Sequence, residues 1–380
     1  MSFKGLTFVG GGRWASTVLS ELLKLSPTLE VDWVCRSNLQ GKRENLLKSS
    51  LLKNVTLIDN QDSQKPQKRR KVIIASHSSQ HQQDFFVHQD RDADMLIEKP
   101  LFSSISGFES CIAQGYKSVF INLEFYFAYF IRDFFKETQF IAIKKIDIIW
   151  HDPLQETRLL GETKYSEIYS SIFLDQLLHV MSICKVFNLN PENFESIAVN
   201  EKALQHSNFI EINFFCDDIH ISISLSRFAS KRERKIMINN EEAELHFSEK
   251  PTFYLNKKLK KELDPLGKLF PIAHTLNNFI NYPKSNEISA LSFEALLPFL
   301  RFCFECEEKF IRSITNRAHS YRGNEASSKI FEPYLVYYAG IIYYQKLSSN
   351  LSSNIHFLTG SRGVSALEEW WLSYLKQDNA

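Results

Sequence analysis

The stretch Phe8-Val-Gly10-Gly-Gly12-Arg13-Trp14-Ala15-Ser16 sets a Gly-x-Gly-x-x-Ala turn between a short apolar run at 5–9 and an amphipathic helical pattern over 14–25. In such a setting Gly10 permits the tight turn and Gly12 admits a close backbone approach. Ala15 lets the helix pack near the strand, and the helix N-terminus offers N–H groups to phosphate. The turn predicts a dinucleotide site at Gly10, Gly12, Arg13, Trp14 and Ala15. Glycine-rich strand-to-helix turns also occur without ligands, so the flanks decide.

The run 29–37 reads as the second strand of a βαβ unit and ends Cys35-Arg36-Ser37. An acidic residue at that strand end accepts from the ribose 2′-OH of NAD, whereas Arg beside a hydroxyl suits a 2′-phosphate. Arg36 and Ser37, with Lys42 or Arg43 beyond them, therefore favour NADP (NADPH) over NAD. The alternative for Arg36 is a solvated charge at a strand end.

The chain has 380 residues, 44% of them hydrophobic, which is enough for two domains with sizeable cores. A formal net charge of +1 gives no global attraction to nucleic acid or membrane. The 31 Phe and 14 Tyr predict aromatic-rich cores. No basic region with a long apolar core follows Met1, so a cytoplasmic location is expected. The longest apolar run, 334–344, falls short of the roughly 20 residues needed to span a bilayer. Only Cys303-Phe-Glu-Cys306 has a suggestive cysteine spacing, and with no nearby Cys or His pair it reads as core; no metal site is expected.

Strand and helix patterns alternate to about residue 140, with strands expected at 5–9, 30–35, 55–58, 72–75, 95–97 and 119–122. This is the pattern of an α/β doubly wound parallel sheet, a Rossmann domain placed at 1–122. The basic run 65–71 lacks aromatic interleaving and reads as a solvated loop, so no nucleic-acid partner is expected. Alternating patterns at 141–150, 209–215, 219–227, 235–238 and 244–247 predict an open, mostly antiparallel sheet in an α+β domain at 123–380. A long helix is expected over 165–187, a helical layer over 292–314 and 332–347, and an amphipathic helix around Trp370-Trp371 docked on the protein itself.

Polar groups end these strands. Ser76, His77 and His81 form a turn after the fourth strand, and Glu98-Lys99-Pro100 ends the fifth, on the edge where ligands lie in this architecture. Asp175-Gln-Leu-Leu-His179 puts a carboxylate and an imidazole one helical turn apart. Glu98, Lys99, Asp175 and His179 are expected to meet in a cleft between the domains. Taken singly, each has a bland reading: a satisfied core histidine, its structural partner, or a solvated lysine.

These motifs together resemble the Gfo/Idh/MocA oxidoreductases, the family of glucose-fructose oxidoreductase and inositol dehydrogenase. The resemblance spans most of the chain and rests on the Gly10–Ala15 turn, the Ser76–His81 turn, Glu98-Lys99-Pro100, and Asp175 with His179. It implies a Rossmann domain followed by an open-sheet domain, and hydride transfer between NAD(P) and a sugar, inositol or related carbinol. It also implies homo-oligomers packed through the second sheet, with no membrane partner. Lys99 then lies near nicotinamide and substrate hydroxyl, Pro100 follows a cis bond, His179 is the proton donor and Asp175 orients its neighbours. Two departures stand out: Ser170-Ser171-Ile172-Phe173 and Leu177 replace family glycines, and Glu124-Phe-Tyr126-Phe-Ala-Tyr replaces an Arg-containing stretch. Both imply a more aromatic pocket, open to a ketone or imine as well as a sugar. A catalytically weak dinucleotide-binding regulatory or interaction protein is the alternative.

Overall fold

The computed structural model describes residues 5–36, 40–42, 44, 52–59, 71–89, 92–157, 163–204, 207–247, 250–262, 269–320, 333–349 and 360–377. Ser37, Arg43 and the basic residues of 65–70 lie outside them. The chain divides into two compact units, one of Met1–Tyr129 with Gly267–Leu297, the other of Phe130–Leu266 with Pro298–Ala380.

In the first unit, β1 (Gly5–Val9), β2 (Glu30–Cys35), β3 (Val55–Asp59), β4 (Lys71–Ile74), β5 (Asp94–Ile97) and β6 (Val119–Ile121) form one sheet in the order β3-β2-β1-β4-β5-β6. Every pairing is parallel. The central strand β4 and the edge strand β6 are buried along their whole length, and β2 and β5 along all but their first residue, which is why they read as continuous apolar runs. Helix α1 (Arg13–Leu25) buries Ala15, Val18, Leu19, Leu22 and Leu23, a single stripe at helical spacing. Helices α2 (His81–His88) and α3 (Ile105–Ala113) follow β4 and β5.

The sequence boundary at 122/123 places 267–297 in the second domain, yet this segment clusters with the first unit. Lys71 supplies one reason. Its side chain is buried, and Nζ donates to Asp94 Oδ2 at 2.9 Å and to the carbonyls of Phe279 and Tyr282 at 2.8 and 2.9 Å. All three ammonium donors are thereby satisfied, which makes burial of the charge tolerable. Burial pushes the Lys71 pKa down, and Asp94 opposes it. Phe120 adds edge contacts to Phe279 and Tyr282.

The second unit opens with α4 (Tyr129–Glu137), which begins one residue before the division, and β7 (Lys145–His151); β8 (Gln155–Thr157) and β9 (Thr163–Tyr165) make a small hairpin. A π-helical stretch at Phe173–Leu177 runs into α5 (Leu178–Val186). Strands β10 (Phe194–Leu204), β11 (Ser207–Cys216), β12 (Ile219–Ser226), β13 (Glu233–Ile238), β14 (Ala243–His246), β15 (Thr252–Leu255) and β16 (Lys258–Glu262) join β7 in the order β10-β11-β12-β7-β13-β14-β15-β16. Only β7 and β12 pair in parallel. Asp217, Asn239 and Asn240 take φ of 53°, 48° and 56°, the left-handed turns their residue types favour. One sheet face carries Ile146, Ile148, Trp150, Ile221, Ile223 and Leu225 into the core. The other carries ion pairs such as Lys145–Asp147 and Lys235–Glu233.

The helix expected over 165–187 is shorter, because Thr163–Tyr165 pairs with Gln155–Thr157 and Ser170 and Ser171 are held by Arg227. Helix α6 (Pro271–Asn281) belongs to the first unit, and α7 (Phe293–Ser320) carries Pro298, at which the units divide. Helices α8 (Pro333–Ser349) and α9 (Gly360–Gln377) follow, with Trp371 fully buried against Tyr338. Cys303 and Cys306 are buried in α7, and desolvation pushes both thiols well above their ordinary pKa. No described helix is long and apolar enough to cross a membrane.

Glu307 is also buried in α7, with Oε2 lacking a partner among the described residues. Desolvation raises its pKa to about 8, against a smaller lowering by Ser171. A raised carboxyl favours folding while protonated, so stability falls as the pH climbs from about 4.5 towards 8. Thermal melts across this window should decline for the native protein and decline less steeply for Glu307→Gln; parallel curves would refute the assignment.

Candidate active site

The first unit gathers its polar residues where β1 and β4, neighbours in the sheet, both end. Gly10 has φ +142°, and a Cβ there would stand 2.5 Å from the Ala75 carbonyl oxygen, so no other residue fits. Its N–H donates to Val34 O at 3.0 Å and its carbonyl accepts from Trp33 Nε1 at 2.7 Å. Gly12 caps α1 in extended backbone, and apart from its own chain neighbours no atom of the described residues lies within 4 Å of where a Cβ would be. Ala15 is fully buried, while Arg13 and Trp14 are exposed. That room beside Gly12 is compatible with a phosphate approaching the start of α1.

Trp14 Nε1 donates to Glu98 Oε1 at 2.7 Å, and Asn122 Nδ2 donates to the same oxygen at 2.5 Å. Glu98 thus ties α1 to the ends of β5 and β6, a structural part added to the cofactor role read from its sequence. Lys99 is half-buried beside it, and the Lys99–Pro100 bond is cis. Ser76 Oγ and Asn122 Oδ1 are buried with no partner among the described residues. Two orphan polar atoms at strand ends on this edge suit a polar ligand that completes them. Asn122 was not singled out as a ligand residue from sequence; the available signal was an amide ending a buried strand.

The histidines of the next turn do other work. His77 is exposed, and its Nδ1 accepts from the Ser79 N–H at 3.4 Å. His81 is buried, with Nδ1 2.9 Å from Pro100 O and Nε2 2.9 Å from Ser76 O. Both ring nitrogens face carbonyl oxygens of the two turns, and the single N–H of the neutral ring donates to one of them, so His81 acts as a brace. Burial lowers its pKa, against the two carbonyls and Asp84.

Arg36 differs more sharply from expectation. Its guanidinium makes a bidentate pair with the buried Asp84 of α2, one arm at 3.1 Å and the other shorter. The cation compensates a desolvated carboxylate, which competes with holding a 2′-phosphate. Lys42, the next cation along the sequence, is buried beside Cys35: its Nζ fills the space a Cβ on Gly11 would need, and it lies 5.4 Å from the Trp33 ring centroid.

In the second unit, the half-buried Asp175 and His179 face the sheet but meet different partners. Asp175 lies in the π-helical stretch, and its Oδ2 accepts from Arg227 Nη2 at 2.7 Å. His179 stacks on Trp150 with centroids 5.4 Å apart and planes 17° from parallel. Arg234 lies 4.1 Å from the same indole and pairs with Asp152, which also accepts from Gln176 Nε2. Burial raises the Asp152 pKa, but Arg234, Lys164 and Arg232 outweigh it and hold the carboxyl below its ordinary value. Arg227 and Trp150 carried no sequence signal as site residues, because their contacts are tertiary.

No protein-family model and no curated protein sequence matches the chain. Solved structures share its fold. A dehydrogenase from Chromobacterium violaceum aligns at TM-score 0.66 and 16% identity, over 84% of this chain and 99% of that one. UDP-N-acetylglucosamine 3-dehydrogenase from Acidithiobacillus ferrooxidans aligns at 0.60 and 14%, over 81% and 98%. A myo-inositol dehydrogenase from Corynebacterium glutamicum aligns at 0.57 and 15%, over 81% and 96%. At 14–16% identity these likenesses are of the fold, a two-domain fold of dehydrogenases.

Because Asp84 is buried, Arg36→Ala should cost on the order of 2 kcal/mol of stability. The double variant Arg36→Ala with Asp84→Ala should recover part of it in urea melts. A single variant as stable as the native protein would show that the pair is not the role of Arg36.

Proposed function

We propose that the protein is an NADP-dependent oxidoreductase acting on a small carbonyl, carbinol or imine. The observation that carries this reading is the crevice of the first unit, where open space at Gly12, orphan atoms on Ser76 and Asn122, and the Lys42 ammonium fit a phosphorylated dinucleotide. The fold shared with dehydrogenases supports it. Lys42, rather than Arg36 alone, is the cation we assign to the 2′-phosphate, since Arg36 is paired with Asp84.

When bound, NADPH supplies hydride. This chain's residues bind, orient and protonate. The N–H groups at the start of α1 meet the pyrophosphate. Lys99 polarises the substrate oxygen, which becomes an alkoxide as the carbonyl carbon accepts hydride, and imidazolium at His179 donates the proton that leaves a neutral carbinol. Trp150 fixes the imidazole plane, and Arg227 fixes Asp175. Self-association through the outward sheet face belongs to the same proposal; its ion pairs make such an interface sensitive to salt.

NADPH consumption with a panel of ketones, keto-sugars and imines tests the reading. Once a substrate turns over, Lys99→Ala and His179→Ala should each lower kcat about 10²-fold or more. Lys42→Ala should raise KM for NADPH and leave that for NADH nearly unchanged. Full turnover in both catalytic variants overturns the roles, and an equal effect on both nucleotides overturns the NADP assignment. Nucleotide binding without turnover of any compound favours the regulatory alternative.

A further inference from the structure

The glycines expected before Asp175 are absent, and the segment that replaces them is held from outside. Gly340 of α8 lies so close that a Cβ there would stand 2.5 Å from the Ile168 carbonyl oxygen. Three residues earlier, the Tyr337 hydroxyl accepts the backbone N–H of Arg227 at 2.8 Å, and its ring meets Phe228 edge-on at 5.4 Å. Tyr169 extends the contact to α9 through a 3.3 Å bond to Gly363 O and packs on Tyr343 of α8.

Arg227 is buried, and its guanidinium donates to Ser170 O at 2.6 Å, Ser171 O at 3.5 Å and Asp175 Oδ2 at 2.7 Å. Ser171 in turn accepts from Phe173 N at its Oγ and from Asp175 N at its carbonyl, which ties it to the residues of the π-helical stretch that follows. A guanidinium is a rigid fork of donors, and this one joins the segment's carbonyls to the carboxylate.

We propose that α8 is a positioning element for Asp175 and His179, with Tyr337 and Gly340 fixing Arg227 and the segment 168–171, and the Arg227 guanidinium carrying that constraint into the π-helical stretch. The conformational limits that glycine turns would otherwise set are imposed here by a helix more than 150 residues further along the chain. The inference rests on the oxidoreductase reading for its catalytic meaning, and on geometry alone for the positioning.

The test compares full-length Tyr337→Phe, Arg227→Met, Arg227→Lys and a control on the same helix, Lys346→Ala. The first readout needs no substrate: the ring-proton signals of His179, displaced by the Trp150 ring current and assigned with His179→Gln, followed through a pH titration. Tyr337→Phe and Arg227→Met should shift both the signals and their midpoint, Arg227→Lys should restore them in part, and Lys346→Ala should leave them unchanged. With a substrate in hand, kcat should fall about 10- to 10²-fold in Tyr337→Phe while KM for NADPH stays constant. Signals and midpoint identical to the native protein in Tyr337→Phe and Arg227→Met would overturn the proposal. Tyr337→Phe removes a single oxygen, so it remains informative if Arg227→Met does not fold. An absence of turnover in the native protein would defeat the oxidoreductase reading and leave the His179 comparison decisive for this one.

Discussion

A side chain on Gly10 would collide with the Ala75 carbonyl, and most of the candidate cofactor site depends on that close approach. It occurs because β1 and β4 are sheet neighbours and both end there, so the chain leaving β1 must turn at once into α1. The turn leaves open space at Gly12 and brings Trp14 to Glu98, which also accepts from Asn122. One steric limit thereby sets the meeting of β1 and β4 and the start of the helix that Glu98 links to the ends of β5 and β6.

Both units hold polar site residues with partners distant in sequence. Asp84 holds Arg36, Arg227 holds Asp175, and Trp150 sets the plane of His179. Buried ion pairs contribute modest net stability, yet breaking one strands a charge, so they define geometry more than they strengthen the fold. Asp152, with Arg234, Arg232 and Gln176 around it, repeats the arrangement at the end of β7.

The first unit was legible because buried parallel strands are short apolar runs: β1 and β2 match the predicted spans, β3, β5 and β6 differ by one residue at one end, and β4 is shifted by one residue. In the second unit, β11 to β14 betray themselves by alternation and by Asp and Asn at their turns. Strand β10 does not, since Glu195, Asn200, Glu201 and Lys202 dilute its apolar residues. The span 271–281 carries helix signals, with Pro271 at its first position and Ile272, Leu276 and Phe279 at helical spacing, but its place in the first unit follows only from Lys71 and Phe120, which receive it. The site residues followed the same division. The turn at Gly10–Ala15 and the ends of β4 and β5 follow from local pattern, whereas the pairing of Arg36 with Asp84 and of Asp175 with Arg227 is set by tertiary structure.

Under the function proposed above, the turn at Gly10–Ala15 binds a reduced nicotinamide dinucleotide. The most direct measurement is a titration of the native protein with NADPH and NADH, following energy transfer from tryptophan, with Trp14→Phe to assign the signal to the indole beside the turn. Saturable quenching, tighter for NADPH and diminished in Trp14→Phe, is the expected result. No quenching by either nucleotide would contradict it and leave the glycine turn a purely structural feature.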